Sequence, residues 1–369
     1  MLENRELVHV VTTIESGGAE NALLLLASKQ VNSFRQVKVF PLKGKPELLS
    51  ELSRNGVMVD LSLLNRSFIK QIFIFRRYPS DSRIFHAHLP RAELLLFFTK
   101  RSKKFFVTRH NSENFFPKLS RFFSSTLSKL ILKNTFGVIA ISKAVQEFLR
   151  SQGELSNVSP CTVIHYGYTP RGPFLEKNSI RPTMTKHETL RLVSISRLAA
   201  QKNIPLMFDF IELLEKKGIS ANLDIVGEGP QQSFLQRNMP HLNRNQIHFL
   251  GKKNGIVELL TNYDYFILTS KYEGFGLVLL EAMDAGLPIV APRNSAIPEV
   301  MGSNHPGLYN SGNLLSMFTT FINLHESLDT AREAFALQKQ QLHNFSSQTY
   351  LEKHLELYEA QVNFERNND

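Results

Sequence analysis

The sequence predicts an α/β protein built from two doubly wound parallel-sheet domains, and three observations carry that expectation. The chain has 369 residues, more than one hydrophobic core usually organises, so two domains are expected. Short β-branched runs alternate with helical stretches along the chain, the signature of βαβ units and of a sheet covered on both faces. The alternation stops once, at a polar stretch marked by Pro and Gly, and then restarts.

Taken in order, residues 7–13 (LVHVVTT) read as an apolar strand that ends in Glu15-Ser16-Gly17-Gly18, after which residues 19–30 read as an apolar helix. Further strands fall at 36–41, 84–88, 105–108 and 137–141. Residues 161–168 (CTVIHYGY) are a strand running into Pro170, Gly172 and Pro173, with polar residues 177–188 beyond. The expected domains are therefore 1–172 and 173–347. In the second, strand 191–196 precedes helix 204–217, and strand 222–226 ends in Gly227-Glu228-Gly229-Pro230. Strands 246–249 and 265–270, helix 277–285 and strand 288–291 follow. Residues 348–364 carry Tyr350, Leu351, Leu355 and Tyr358 at helical spacing, so 348–369 is expected as a C-terminal surface helix that packs back on the first domain. Ligands of open α/β sheets bind beyond the carboxyl ends of the strands, so two such sheets facing each other would hold reactants between them.

Composition narrows the classes. The one cysteine, Cys161, excludes an internal disulfide and a cysteine cluster for zinc, so no structural metal is expected and the cytoplasm is the default compartment. The first residues, MLENRELVHV, lack the basic-then-apolar plan of a signal peptide. Apolar runs stay far below the ~20 residues that cross a bilayer. The net charge is +10, and residues 66–150 hold 17 Lys or Arg against Asp81, Glu93, Glu113 and Glu147, interleaved with Phe pairs at 97-98, 105-106, 115-116 and 122-123. Such a half suits an anionic membrane surface, a phosphorylated acceptor or nucleic acid; a solvated basic face over a Phe core explains it equally well. Residues 119–132 (LSRFFSSTLSKLIL) read as a helix compatible with interfacial docking.

The chemistry concentrates at residues 271–286 (KYEGFGLVLLEAMDAG). Gly274 and Gly276 permit a tight turn and close backbone approach, and the helix starting near Leu277 leaves its first amides without partners. With the helix dipole, that end attracts a diphosphate without a metal. Glu273 precedes the helix and Glu281 lies about 7 Å along it, at 1.5 Å per residue, and both can accept bonds from sugar hydroxyls. No GxxxxGK[ST] loop and no GxGxxG fingerprint occurs, so NAD is not expected.

This segment resembles the signature of the retaining GT-B glycosyltransferases of family 4, which include bacterial mannosyltransferases, glycogen and sucrose synthases and lipopolysaccharide or capsule enzymes. The resemblance rests on EGFGLVLLE, AMDAGLPIVA and Pro298-Glu299 and extends over nearly the whole chain. It implies that Glu273, with the backbone of Gly274, Phe275, Gly276 and Leu277, contacts donor-sugar hydroxyls, and that Glu281 holds the ribose. It also implies that Arg197 and Lys202, in SRLAAQKN, clamp the diphosphate in place of a metal and neutralise charge on the leaving group. Gly227 would let the nucleotide approach, Phe249-Leu250-Gly251-Lys252 would line the base pocket, and Gly17-Gly18 would supply amides to the phosphates. His110, in Thr108-Arg109-His110-Asn111, would orient the sugar or stabilise charge at the reacting centre. Arg109 would meet an anionic acceptor, and His86 and His88 are read as core or supporting residues.

The activity so implied is transfer, with retention, from a nucleotide-diphosphate sugar to a hydroxyl of a saccharide or lipid-linked acceptor. No cofactor, metal or nucleic acid is expected, and a peripheral site on the inner face of the cytoplasmic membrane is compatible. Two rivals remain at this point. One is a nucleotide-sugar epimerase of the same fold, or a phosphorylase, which would need a pyridoxal lysine and a much longer chain. The other is a catalytically silent sugar-nucleotide-binding subunit.

Overall fold

The computed structural model describes residues 2–100, 105–113, 115, 121–155, 160–171, 189–239 and 245–367. The sequence-predicted boundary between 172 and 173 and the polar stretch 177–188 lie outside the described residues. So do residues 119 and 120 of the predicted 119–132 helix and Phe116, and the Phe122 side chain. The chain divides into two compact units, Met1–Gly167 with Phe345–Asp369, and Tyr168–Asn344.

The first unit alternates β1 (Glu6–Val11), α1 (Gly18–Gln30), β2 (Gln36–Pro41), α2 (Leu49–Arg54), β3 (Met58–Val59), α3 (Phe68–Arg76), β4 (Arg83–His88), α4 (Pro90–Thr99), β5 (Phe105–Arg109), α5 (Arg121–Leu132), β6 (Thr135–Ala140), α6 (Lys143–Ser151) and β7 (Cys161–Val163). Its sheet is parallel throughout, in the order β3-β2-β1-β4-β5-β6-β7. The strand order reverses between β1 and β4, which is where open α/β sheets place their ligands.

Every residue of β1 is buried, and so is every residue of β5. Side chains alternate between the two faces. Val8 and Val10 join Phe85, Ala87, Phe105 and Val107 in one core, while Leu7 and Val11 join Ile84 and Phe106 in the other. Parallel strands covered on both faces read as continuous apolar runs, so the exceptions stand out. His9, His86, His88 and Thr108 are all buried and share the Leu7 face, where registration sets His9 beside His86 and His88 beside Thr108.

The second unit holds β8 (Leu190–Ile195), α7 (Pro205–Lys216), β9 (Ala221–Val226), α8 (Gln232–Asn238), β10 (Ile247–Gly251), α9 (Ile256–Leu260), β11 (Tyr265–Ile267), α10 (Leu277–Asp284), β12 (Ile289–Pro292), α11 (Ile297–Met301), β13 (Leu308–Tyr309), α12 (Leu314–Glu326) and α13 (Leu328–Asn344). The order β10-β9-β8-β11-β12-β13 is again all parallel and reverses between β8 and β11. One core joins Leu192, Ile211, Leu223, Ile267 and Phe321.

The last helix, α14 (Ser347–Arg366), returns to the first unit. Ser346 caps it by accepting from the Thr349 amide at 3.2 Å, which satisfies one amide at the helix start. Tyr358 and Val362 are buried in the Leu7-face core, so this helix closes that face. Two doubly wound α/β units are thus present as the sequence predicts. The strands differ in extent: β11 stops at Ile267 and β7 at Val163, because the residues that follow leave the ladder to build loops. The two-residue strands β3 and β13 are too short for any alternation to register in sequence.

Candidate active site

In the second unit the loop after β8 and the loop after β11 are stitched together. Gln201 Nε2 donates to the Tyr272 carbonyl at 2.7 Å, the Lys271 amide to the Gln201 carbonyl at 2.8 Å, and Thr269 Oγ1 to the Lys202 carbonyl at 2.8 Å. This lattice delivers Lys202 Nζ to 2.5 Å from Glu273 Oε1, with only 16% and 8% of the two side chains exposed. Ser270 Oγ donates to the same oxygen at 2.6 Å, and the Glu273 amide donates to Ser295 Oγ at 2.8 Å. Glu273 is therefore held at backbone and carboxylate alike. Ser270, Ser295 and Gln201 are supports that sequence reasoning missed, since nothing in their spacing distinguishes them from loop polar residues. Arg197, predicted beside Lys202, is exposed at the end of β8.

Beyond Glu273, Gly276 caps α10 with φ +94, a left-handed conformation that costs side-chain-bearing residues about 1 kcal/mol or more. The Phe275 side chain is buried at 2% exposure, so Phe275 offers its backbone rather than its ring. The first turn of α10 carries no acidic residue, which leaves its amide end electropositive. Glu281 lies half-buried one turn inside, and burial pushes its carboxyl up to about 7, with Arg171 pulling it down and Asp284 pushing it up. Asp284 itself accepts from Tyr168 Oη at 2.8 Å and from the Arg171 amide at 3.0 Å.

Gly227 has a protein reason for being glycine. Its φ is +130, and an added Cβ would lie 2.1 Å from the Ser196 carbonyl oxygen. The strand ends of β8 and β9 touch there, which keeps Ser196 and Arg197 at the sheet edge.

In the first unit α1 starts at Gly18 with Gly17 as its cap. An added Cβ on Gly17 would stand 2.6 Å from Glu20 Oε2, and the Ser16 amide donates to Glu47 Oε2 at 3.0 Å. The predicted phosphate amides thus lie among carboxylates. Arg109 is placed differently from its expected role with an anionic acceptor. It is buried between Glu93 and Glu154, at 3.0 and 3.3 Å, donates to Ser128 Oγ at 2.7 Å and stacks on Phe115. A cation so compensated has little charge left for a ligand. Burial pushes the Glu93 carboxyl up to about 7 although Arg109 opposes it.

His110 follows β5 and lines a pocket of about 170 Å³ with Leu89, Pro90, Glu93, Arg109 and Asn111. Leu89 carries a φ of +71 just before Pro90 opens α4. Both ring nitrogens of His110 are engaged: Nδ1 with the Tyr166 hydroxyl and Nε2 with His88 Nδ1 at 3.1 Å. Burial drives its pKa down to about 3. Three nearby histidines, His9, His86 and His88, bring ring nitrogens within 4.8 Å of one another. Tyr166 and His9 carried no sequence signal for this site: one lies in the irregular stretch after β7, and the other sits inside an apolar run.

Residues 176–343 match the family model described as Glycosyl transferases group 1. The chain is 39% identical over 90 residues to N-acetyl-alpha-D-glucosaminyl L-malate synthase of Bacillus anthracis, which covers 24% of each chain. It is 27% identical over 203 residues, 53% of each chain, to N,N'-diacetylbacillosaminyl-diphospho-undecaprenol alpha-1,3-N-acetylgalactosaminyltransferase of Campylobacter jejuni. The matched stretches thus span a quarter to about half of these relatives' own length. In fold, the chain is similar to Anabaena Alr3699/HepE, solved in complex with UDP and glucose, with a TM-score of 0.78 at 18% identity over 96% of this chain and 100% of that one. Residues 176–343 are thus similar to the group 1 glycosyltransferase domain, and the chain, with two parallel sheets of this order, has the GT-B fold.

Proposed function

We propose that the protein is a retaining, family 4-type hexosyltransferase that moves a sugar from a nucleotide-diphosphate sugar to a hydroxyl of a lipid-linked saccharide or lipopolysaccharide precursor. The observation that carries this reading is the braced Lys202–Glu273 pair at the β8/β11 reversal, beside the open amide end of α10. A diphosphate docked on that end meets cations from Lys202 and Arg197, so charge building on the leaving group is met by protein groups and a metal is not required. Lys202 then leaves Glu273 for phosphate, which frees a carboxylate to accept from sugar hydroxyls, and Glu281 accepts from the ribose. The Campylobacter relative's name specifies a diphospho-undecaprenol acceptor, and the Anabaena neighbour was solved with UDP and glucose; both support the substrate classes proposed.

The lipid side of the proposal draws on the surface of the first unit. Among the described residues, six of the eleven exposed large hydrophobics sit on α3, α4 and α5: Ile69, Phe73, Ile74, Phe98, Phe123 and Leu130. These helices pack in sequence, α3 on α4 and α4 on α5. Exposed Arg66, Lys70, Arg76, Arg77 and Lys133 accompany them. Apolar side chains among cations suit an anionic bilayer face, each cation adding about 1 kcal/mol near such a surface. The sequence pointed to residues 119–132 for docking; among the described residues, α3 adds exposed Ile69, Phe73 and Ile74 to Phe123 and Leu130 of that segment. No helix among the described residues is long and apolar enough to cross a membrane, so the proposed attachment is peripheral, on the cytoplasmic face. Vesicles rich in phosphatidylglycerol should retain the protein at low salt and release it at high salt, and Phe73→Asp with Ile69→Asp should abolish retention; equal binding to neutral vesicles would refute this docking mode.

The central test is Lys202→Ala in a transfer assay with a panel of UDP-, GDP- and ADP-sugars. Turnover should fall roughly 10²- to 10³-fold, as for removal of one charge-stabilising donor, and unimpaired transfer would sink the clamp. Conversion of the donor without any acceptor would establish an epimerase instead. Binding of the nucleotide sugar with neither reaction would establish a silent subunit.

A further inference from the structure

We propose that Gln30, His9, His88 and His110 form a one-way hydrogen-bond relay, entered at Tyr166, that locks His110 in one neutral tautomer and presents its Nδ1 as an acceptor to a sugar hydroxyl. Gln30, His9 and His88 thereby act as positioning residues. The use made of His110 rests on the proposed transferase reading; the relay itself does not.

The distances define the chain. Gln30 Oε1 lies 2.8 Å from His9 Nε2, His9 Nδ1 lies 2.9 Å from His88 Nε2, and His88 Nδ1 lies 3.1 Å from His110 Nε2. The Tyr166 hydroxyl completes it at His110 Nδ1. A neutral imidazole has one donor and one acceptor nitrogen, so every ring in such a chain must point the same way. Gln30 Oε1 can only accept. The proton therefore sits on Nε2 of His9, of His88 and of His110, and Tyr166 donates into the free lone pair of His110 Nδ1.

The surroundings favour neutrality. Gln30 and His9 are fully buried, and His88 and Tyr166 are exposed by 3% each. An imidazolium anywhere in the chain would set two donors against each other, and burial already holds His9 down at about 4 and His88 well below its ordinary value. His86 stands beside the chain without joining it, its two nitrogens taken by Tyr358 Oη and Thr108 Oγ1 at 2.7 Å each. His354 is likewise apart, donating from Nδ1 to the Tyr350 carbonyl at 2.8 Å.

The consequence is directional. When a ligand hydroxyl replaces Tyr166, it meets a nitrogen that accepts and cannot donate. Without the relay, His110 would sample both tautomers, and the Nδ1–H form would offer an N–H to a group that needs an acceptor. A rival use of the same cluster is a metal site, since His9, His86 and His88 converge. Two nitrogens sharing one proton at 2.9 Å are already bonded to each other, whereas metal ligands must both present lone pairs to the ion.

The test is long-range proton–nitrogen correlation on ¹⁵N-histidine-labelled full-length protein. His9, His88 and His110 should each show a protonated Nε2 and a bare Nδ1, without titration between about pH 5.5 and 8, where an ordinary histidine changes charge near 6.5. Gln30→Met should leave His110 averaging between tautomers in a chain that still melts cooperatively, while Gln30→Glu, which keeps the acceptor, should preserve the Nε2–H form. A proton on Nδ1 of His110 or His88, a titration near 6.5, or an unchanged His110 in Gln30→Met would overturn the relay, as would stoichiometric loss of the His9 and His88 signals on adding zinc. In the transfer assay Gln30→Met should lower kcat roughly tenfold to a hundredfold, the order of loss from misplacing a reacting group. If the spectra behave as expected and kcat does not move, the relay stands and it is the placement of His110 at the sugar that fails.

Discussion

The two units solve the same topological problem with opposite electrostatics. Each sheet reverses its order once, between β1 and β4 in one and between β8 and β11 in the other, and each gathers its polar side chains at that reversal. In the second unit these are a formal charge pair, Lys202 and Glu273, partly open to solvent and braced by hydroxyls. In the first they are neutral rings, buried, linked nitrogen to nitrogen. The difference teaches what each edge is suited to hold. Charges that can exchange partners suit an anion that comes and goes. Neutral donors and acceptors fixed in direction suit hydroxyls, which need geometry more than charge.

The comparison breaks most readily at Arg109, a cation buried beside the neutral edge. If the first unit tolerates charge only where it is fully compensated, Arg109→Ala should cost about 3–5 kcal/mol, because Glu93 and Glu154 remain buried without their partner. Protonation can relieve part of that loss. Both carboxyls are raised above their ordinary values, Glu93 to about 7, so the native state binds protons more tightly than the unfolded chain. Stability contributed this way is present at low pH and declines as pH rises from about 4.5 through 7. Urea unfolding of Arg109→Ala should therefore show a larger deficit at pH 8 than at pH 5.5. An equal or smaller deficit at pH 8 would mean that Arg109 is not the counter-charge of this pair.

Arg109 also shows where sequence reading stops. The charged edge proposed for the donor could be picked out because its parts are close in the chain: Glu273, Gly276 and Glu281 fall within nine residues, and their spacing against a helix start has chemical meaning. The sheets were legible for the same reason, each strand carrying its own apolar run. The neutral edge is assembled from β1, β4, β5, the end of α1, a loop at Tyr166 and a helix 272 residues away from His86 at Tyr358. No spacing encodes that register. In the sequence His9 sits inside the apolar run 7–13 and Gln30 ends the apolar helix 19–30 without any mark of its own, while Arg109 reads as a cation for an anionic acceptor. Only parallel pairing, which sets His9 beside His86, turns them into one structure.

A second test asks whether the charged edge depends on backbone packing in the way the neutral edge depends on side chains. At Gly227 an added methyl meets the Ser196 carbonyl at 2.1 Å with φ at +130. Gly227→Ala should therefore cost roughly 1–3 kcal/mol through strain at that backbone position and displace the Ser196–Arg197 strand end. Weaker nucleotide-sugar binding should accompany the lower melting temperature, measured on the same samples. Strain without any loss of affinity would detach this turn from the donor edge.

The smallest effect is the most discriminating, because it sets stability against binding at one residue. Burial pushes Glu281 up to about 7, so the folded state prefers the protonated carboxyl more than the unfolded chain does. The sign follows directly: stability falls as pH rises from about 4.5 to 7, and above 7 the ionised, half-buried group opposes folding. Glu281→Gln removes that opposition and keeps the shape. The variant should melt a little higher than the parent at pH 8 and no higher at pH 5, while binding nucleotide sugar about tenfold more weakly, the loss expected of one charge-assisted hydrogen bond. A strained acceptor kept at the expense of stability is what a binding role would leave behind. If instead Glu281→Gln lowers the melting temperature and spares affinity, Glu281 is a packing residue, and the donor edge is confined to Glu273, Lys202 and the helix end.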